Sequence, residues 1–403
     1  MGSEPRWAAV VAIIAALLAG VGGEPDARPD RGPDPTPAGA AGHHLPHHAT
    51  PVPAAPLRAG ERFVTLTMPR PYTPAAPPGG IDEYRCFLVD PELTEPAFLT
   101  GSQFLPQNAD IVHHTIFFRV APDDVAEARS VDAGTPGDGW TCFGGTGIRG
   151  VDRGQRDLGA AGAWLAAWVP GSGETLLPPK TGYRLEPGTQ VIMQVHYSLL
   201  ATDGRPAGAD RSGIQLRLAP GDADLDPLQV TLLPAPVELP CAESESGPLC
   251  DRVTAVRDVT HRFGQQSGLV IIGLNLYCNG GRDPVAGPRQ HCDQPVRQDG
   301  LVYAVGGHMH LLGRSIRVEL NPGTSRARVL LDVPVYNFDD QSARELPQPV
   351  AVRAGDILRV TCTHDASLRR RLPELRRLPP RYVVWGDGTP DEMCLGFVIW
   401  SRP

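Results

Sequence analysis

None of the eight cysteines is spaced as a CxxC pair, which argues against a zinc ribbon or a thioredoxin-type redox motif. Basic charge is short as well: 37 Lys and Arg against 45 Asp and Glu leave a net charge of −8. A nucleic-acid partner needs a concentrated basic face. The one basic run, 369–381, is broken by Pro373, Glu374 and two further prolines and reads as a solvated loop. No sustained 3.6-residue periodicity is present, which argues against a helical bundle. Beyond residue 23 no segment is apolar and long enough to cross a bilayer.

What is present begins with an export signature. A basic residue within 1–6 precedes the uncharged, Ala/Val/Ile/Leu-rich run 7–23, which ends in small residues. That is the layout of a secretory signal peptide, with an uncleaved anchor as the alternative. Residues 24–61 are rich in Pro, Ala, Gly and Asp, a composition that cannot bury a core, and read as a disordered linker. Within it His43, His44, His47 and His48 lie close together. The eight cysteines fit an oxidising compartment, secreted or periplasmic, and up to four disulfides.

From residue 62 onward short β-type runs alternate with Pro/Gly/Asp turns: 64–68, 84–89, 115–120, 190–199, 214–218, 229–233, 269–277, 301–305, 315–320, 328–333, 357–363, 382–385 and 397–400. Only 123–129 reads as a short helix. The expectation is an all-β protein of sandwich type. These strands are too many for one small sandwich. The Pro/Asp-rich stretch 219–227 divides them into domains 62–222 and 223–403, each of ordinary size.

The candidate chemistry lies in the histidines. Leu301-Val302-Tyr303-Ala304-Val305 reads as a buried strand leading into Gly306-Gly307-His308-Met309-His310. Alternation along a strand turns His308 and His310 to one face and Met309 to the other. Two imidazoles one pleat apart can share a metal ion, although an isolated pair of this kind more often means nothing. His113 and His114 are adjacent, so both can reach one ion only at a strand end or irregularity. His196 lies in a further strand, with Gln194 on the same face. Met393 adds a thioether, a soft donor that favours Cu(I) and suits zinc or calcium poorly.

The words Val112-His113-His114, Gln194-Val195-His196-Tyr197, His308-Met309-His310 and Asp391-Glu392-Met393-Cys394 occur in this order. Trp168-Val169-Pro170-Gly171, Leu177-Pro178-Pro179, Tyr336-Asn337-Phe338 and Gln341 accompany them. On these words the chain resembles the copper type II, ascorbate-dependent monooxygenases, the family of peptidylglycine α-hydroxylating monooxygenase and dopamine β-hydroxylase. The resemblance implies two tandem antiparallel, jelly-roll-like β-sandwiches facing each other across a solvent-filled cleft. It implies two copper ions: one on His113, His114 and His196 for electron transfer, and a catalytic one on His308, His310 and Met393, where O2 would bind. Gln194 matches a glutamine near the first copper, expected to organise water or substrate. Ascorbate would supply single electrons for hydroxylation of a C–H bond. Disulfides Cys86–Cys142 and Cys362–Cys394 are implied by the same resemblance. Cys241, Cys250, Cys278 and Cys292 remain, most simply as 241–250 and 278–292, with crossed pairings open.

The departures concern the substrate. Where the peptide hydroxylase has an arginine before its His-x-His, this chain has Gly306. Where that enzyme has Asn and Tyr after its Met-Cys pair, this chain has Leu395 and Phe397. Losing a charged fork and two hydrogen-bonding groups argues against a peptidylglycine substrate. The expectation is an apolar pocket for a phenolic, aromatic-amine or small hydrophobic molecule. The alternative is an extracytoplasmic protein that binds or sequesters copper without catalysis.

Overall fold

A computed structural model of the chain describes residues 53–76, 81–143, 145–153, 161–169, 172–199, 207–338, 340–373 and 375–402. The expected signal peptide, the linker histidines and Pro170-Gly171 lie outside these residues.

Among the described residues the architecture is β-sandwich. Twelve of the thirteen expected strands form, most of them longer by a residue or more, because the ladder continues past the apolar run that signalled it. One long sheet runs in the order Arg62–Thr67, Gly213–Pro220, Ala97–Leu105, Thr181–Leu185, Asp226–Pro234, Leu395–Ser401, Gly300–His308, Arg344–Val352. A sheet of Trp140–Thr141, Asp82–Val89, Gln190–Ser198, Val112–Val120 and Trp164–Trp168 packs on its first part through Phe87, Leu99, Phe117, Met193 and Leu216. A second sheet, Arg289–Pro295, Ile357–His364, Gly313–Leu320 and Arg328–Val333, packs on its last part through Val302, Val305, Val318 and Val360. The stretch expected to divide the chain falls between Gly213–Pro220 and Asp226–Pro234, both strands of the long sheet.

The thirteenth expected strand is not one. Residues 269–277 lie within helix Gln265–Cys278, which follows helix Arg252–Phe263. A continuous apolar run has no period of its own, so it does not separate a buried strand from a helix. The Asp251 side chain, which accepts from Thr254 N at 2.8 Å, caps the first helix. The expected short helix is present as Val125–Asp132.

The basic run also departs from the expectation of a solvated loop. Arg369 and Arg381 are buried, at 2% and 8% exposure. Arg381 reaches Asp258 at 3.1 Å and Asp391 at 3.4 Å, and Arg369 donates to the Arg381 carbonyl at 3.1 Å. Asp258 for Arg381, and Glu245 at 3.8 Å from Arg369, are carboxylates far away in sequence that meet these charges inside, which composition alone did not indicate. The disulfides are Cys86–Cys142, Cys241–Cys250, Cys278–Cys292 and Cys362–Cys394.

Candidate metal centre

Strand Gln190–Ser198 is buried on both faces. Val191, Met193, Val195 and Tyr197 point into the main core, so alternation turns Ile192, Gln194 and His196 to the opposite face. On that face His196 pairs with Tyr84 on one neighbouring strand and with His114 on the other. The register between the His114 strand and the His196 strand shifts at this point: His196 opposes His114, whereas Tyr197 opposes Val112. His113 is the extra residue of a bulge. This irregularity is what two adjacent histidines need to face one point, and it brings them there.

The Nδ1 atoms of His113, His114 and His196 lie 3.1–3.3 Å from one another. Nitrogens at that spacing share a common point about 2 Å from each, a metal–imidazole bond length. His196 Nε2 lies 2.9 Å from the Asp82 carboxylate, which can only accept, so the ring proton is on Nε2 and Nδ1 carries a lone pair. Burial, and then the neighbouring His196, push the His113 and His114 pKa values well below the ordinary imidazole value. Three clustered imidazoles with converging Nδ1 atoms, His196 fully buried and His113 half-buried, are a set that suits a cation at their centre. Burial alone would raise the Asp82 carboxyl, but the hydrogen bonds it accepts from His196 and then Thr389 hold it below the usual range.

His308 and His310 present their other nitrogens. His308 Nδ1 donates to Gln341 Oε1, whose amide nitrogen is tied to the Phe338 carbonyl. His310 Nδ1 donates to the Asp391 carbonyl at 3.2 Å. Both Nε2 atoms are left for a ligand. Burial, then His310, drives the His308 pKa down to about 3. Met309 turns into the core, and its backbone N–H and C=O are bracketed by the Tyr336 hydroxyl at 2.9 and 2.8 Å.

Strand register locates Met393. The ladder ends at His308–Leu395, with Gly306–Phe397 two steps before it, so Met393 lies two residues past the end of this pairing, in the segment that leads into the strand beside His308. The chain there is fastened by Cys394 to Cys362, by the Met393 carbonyl to His364 Nε2, and by the buried Glu392. Glu392 accepts from His310 N at 2.9 Å and Leu312 N at 2.5 Å and pairs with His364 at 3.4 Å. Burial would raise the Glu392 carboxyl, but the His364 hydrogen bond and charge hold it below the usual range.

The two sets are not held apart by a wide cleft. The His114 and His308 ring centroids are 6.0 Å apart. The Phe338 ring stacks on His113 at 4.9 Å and meets His310 edge-on at 6.5 Å. Gln194, expected to organise water or substrate, is buried with its amide nitrogen donating to the Cys142 carbonyl at 2.9 Å.

Phe397 fills the space over Gly306: a Cβ at 306 would overlap the ring Cζ. The ring also packs 6.0 Å from Trp164. Gly306→Arg should therefore lower the urea midpoint by an amount equivalent to about 1–3 kcal/mol, through overpacking. An unchanged midpoint would mean that Phe397 swings clear.

Asp82, Tyr84 and Thr389 were not singled out in the sequence. Asp82 contacts Thr389 at 307 positions' separation, and nothing local to Asp82-Glu83-Tyr84 signals its partner.

Residues 288–402 match the family model "Copper type II ascorbate-dependent monooxygenase, C-terminal domain". The Mus musculus protein "DBH-like monooxygenase protein 2" is 34% identical over 94 residues, 23% of this chain and 13% of that protein. The Homo sapiens "Putative DBH-like monooxygenase protein 2" is 26% identical over 227 residues, 54% of this chain and 35% of that protein. The matches thus span only a minor part of either relative. Among solved structures, that of Broad Bean Stain Virus aligns at a TM-score of 0.29 and 8% identity, over 89% of this chain and 94% of the other. A score that low establishes no shared fold.

Proposed function

We propose, for a chain that belongs through residues 288–402 to the copper type II ascorbate-dependent monooxygenase family, an exported dicopper hydroxylase. It acts on a C–H bond of a small aromatic or apolar substrate with O2 and ascorbate or another one-electron reductant. Bound copper supplies the one-electron redox chemistry with O2. The chain's own residues do the rest. His113, His114 and His196 hold one ion through Nδ1, and Asp82 fixes the His196 tautomer. His308 and His310 offer Nε2 to the other, with Met393 as the soft donor that favours Cu(I). Gln194 fastens the Cys142 loop beneath His196. Phe397 and Leu395 keep the His308 side apolar, which disfavours a charged substrate. The four disulfides support export.

The observation that carries this reading is the convergence of three imidazole Nδ1 atoms within 3.1–3.3 Å. Purified protein is expected to bind two copper ions and to consume O2 with ascorbate when phenethylamine-type or phenolic candidates are added. Uptake no greater than in the copper-free control, across a broad panel, would sink it. The second reading, copper sequestration without catalysis, is favoured by the Phe397 ring filling the space over Gly306. It calls for a single labile copper.

A further inference from the structure

Asp82 and Tyr84 are two apart on one strand and share the face of His196. Between them they touch His196 on two sides. The Asp82 carboxylate accepts a hydrogen bond from His196 Nε2 at 2.9 Å, and the Tyr84 ring stacks on the imidazole at 4.1 Å and 10°. Both residues then reach the same distant loop. Asp82 accepts from Thr389 N at 3.0 Å and Thr389 Oγ1 at 2.7 Å, while the Tyr84 hydroxyl donates to the Asp387 carbonyl at 2.7 Å. Four residues after Thr389 comes Met393. Two short paths thus run from a histidine of the first set to the loop that leads to Met393, one through hydrogen bonds at Asp82 and one through the stacked Tyr84 ring and its hydroxyl.

We infer that Asp82 and Tyr84 are positioning residues of a strap, with Thr389, that couples the two metal sets, so that an ion at either one raises the affinity of the other. The physical basis is shared ordering. An ion on His113, His114 and His196 fixes the angle of the His196 ring, which fixes where Asp82 and Tyr84 hold the 387–389 backbone. The loop is then already in place when the second ion needs Met393. By linkage the effect runs equally in the other direction. The inference rests on the copper reading above.

The test is a binding cycle read with a colorimetric Cu(I) chelator. His308→Ala leaves the first set alone, and His113→Ala leaves the second alone. In the otherwise native protein, the product of the two stepwise affinities should exceed the product of the two single-set affinities by about 5- to 100-fold, within the usual range of coupling. Cutting the strap with Tyr84→Phe and Thr389→Val should bring that ratio below twofold while two ions still bind. If the double variant fails to fold, Thr389→Val alone, which loses one hydroxyl at constant shape, should at least halve the ratio. A residue of merely structural importance would lower the thermal midpoint of metal-free protein and leave the ratio unchanged. That result overturns the inference while leaving the copper reading intact, as does a ratio near one in the native protein. Fewer than two ions bound by the native protein overturns both.

Discussion

Asp391→Ala is expected to lower the stability of the protein by about 3–5 kcal/mol, the usual cost of removing one partner from a buried ion pair. The Asp391 side chain is 1% exposed and accepts two parallel bonds from Arg262, at 2.7 and 2.8 Å, while Arg381 approaches at 3.4 Å. Removing the carboxylate leaves the largely covered Arg262, 12% exposed, with only Asp258 as a charge partner. Burial alone would lower the Arg262 pKa; the charges of Asp391 and then Asp258 raise it, so the guanidinium stays charged and its exposure to an apolar void is costly. The same network clamps helix Arg252–Phe263 onto the loop ahead of Met393, where Phe263 closes over Gly388. Equilibrium urea unfolding of the variant checks the figure. A loss under about 1 kcal/mol, the usual size for an exposed pair, would show that this pair does not hold the loop. Asp391→Asn, which keeps the shape and one acceptor, should fall between.

The second large effect is with pH. The metal-free protein should lose stability as pH falls from about 6.5. His113, His114 and His308 have folded pKa values below the imidazole value, the last at about 3, because burial disfavours their charged forms. Between the folded and unfolded values the unfolded chain binds protons that the folded chain does not, so stability rises with pH across that window and is lost on descending it. Each such imidazole contributes at most about 1.4 kcal/mol per pH unit. Asp82 and Glu392, held below the carboxylate range, act in the same direction lower down: their contribution is present above the unfolded carboxyl value near 4 and is lost as pH falls through the folded one. Thermal midpoints across pH 7 to 4 should therefore drop with a slope that steepens below 6.5. His308→Gln, which does not titrate, should flatten that limb. A flat profile between pH 7 and 5 would mean that these rings are hydrated and free to charge.

Much of this was legible in the sequence because it is local. Apolar runs bounded by turn residues marked the strands, and His-x-His spacing turned His308 and His310 the same way. Local loops paired Cys241 with Cys250 and Cys278 with Cys292. Period-based reading failed where there was no period, in the apolar run that became helix Gln265–Cys278.

Tertiary structure decided what depends on partners far apart in the chain. Sequence stated the condition under which His113 and His114 can act together, an irregularity; the one-residue shift of register against His196 met it. Sequence supplied two sets of donors; only packing set His114 against His308 and slid Phe338 between His113 and His310. Arg369 and Arg381 look solvated because charge is solvated by default, and they are buried because carboxylates from elsewhere in the chain meet them. Which atoms can bind a ligand is decided at the same level. A side chain's type gives its chemistry, but the proton on His196 is fixed by Asp82, and the free nitrogen on His308 by Gln341, through hydrogen bonds made only when the chain is folded.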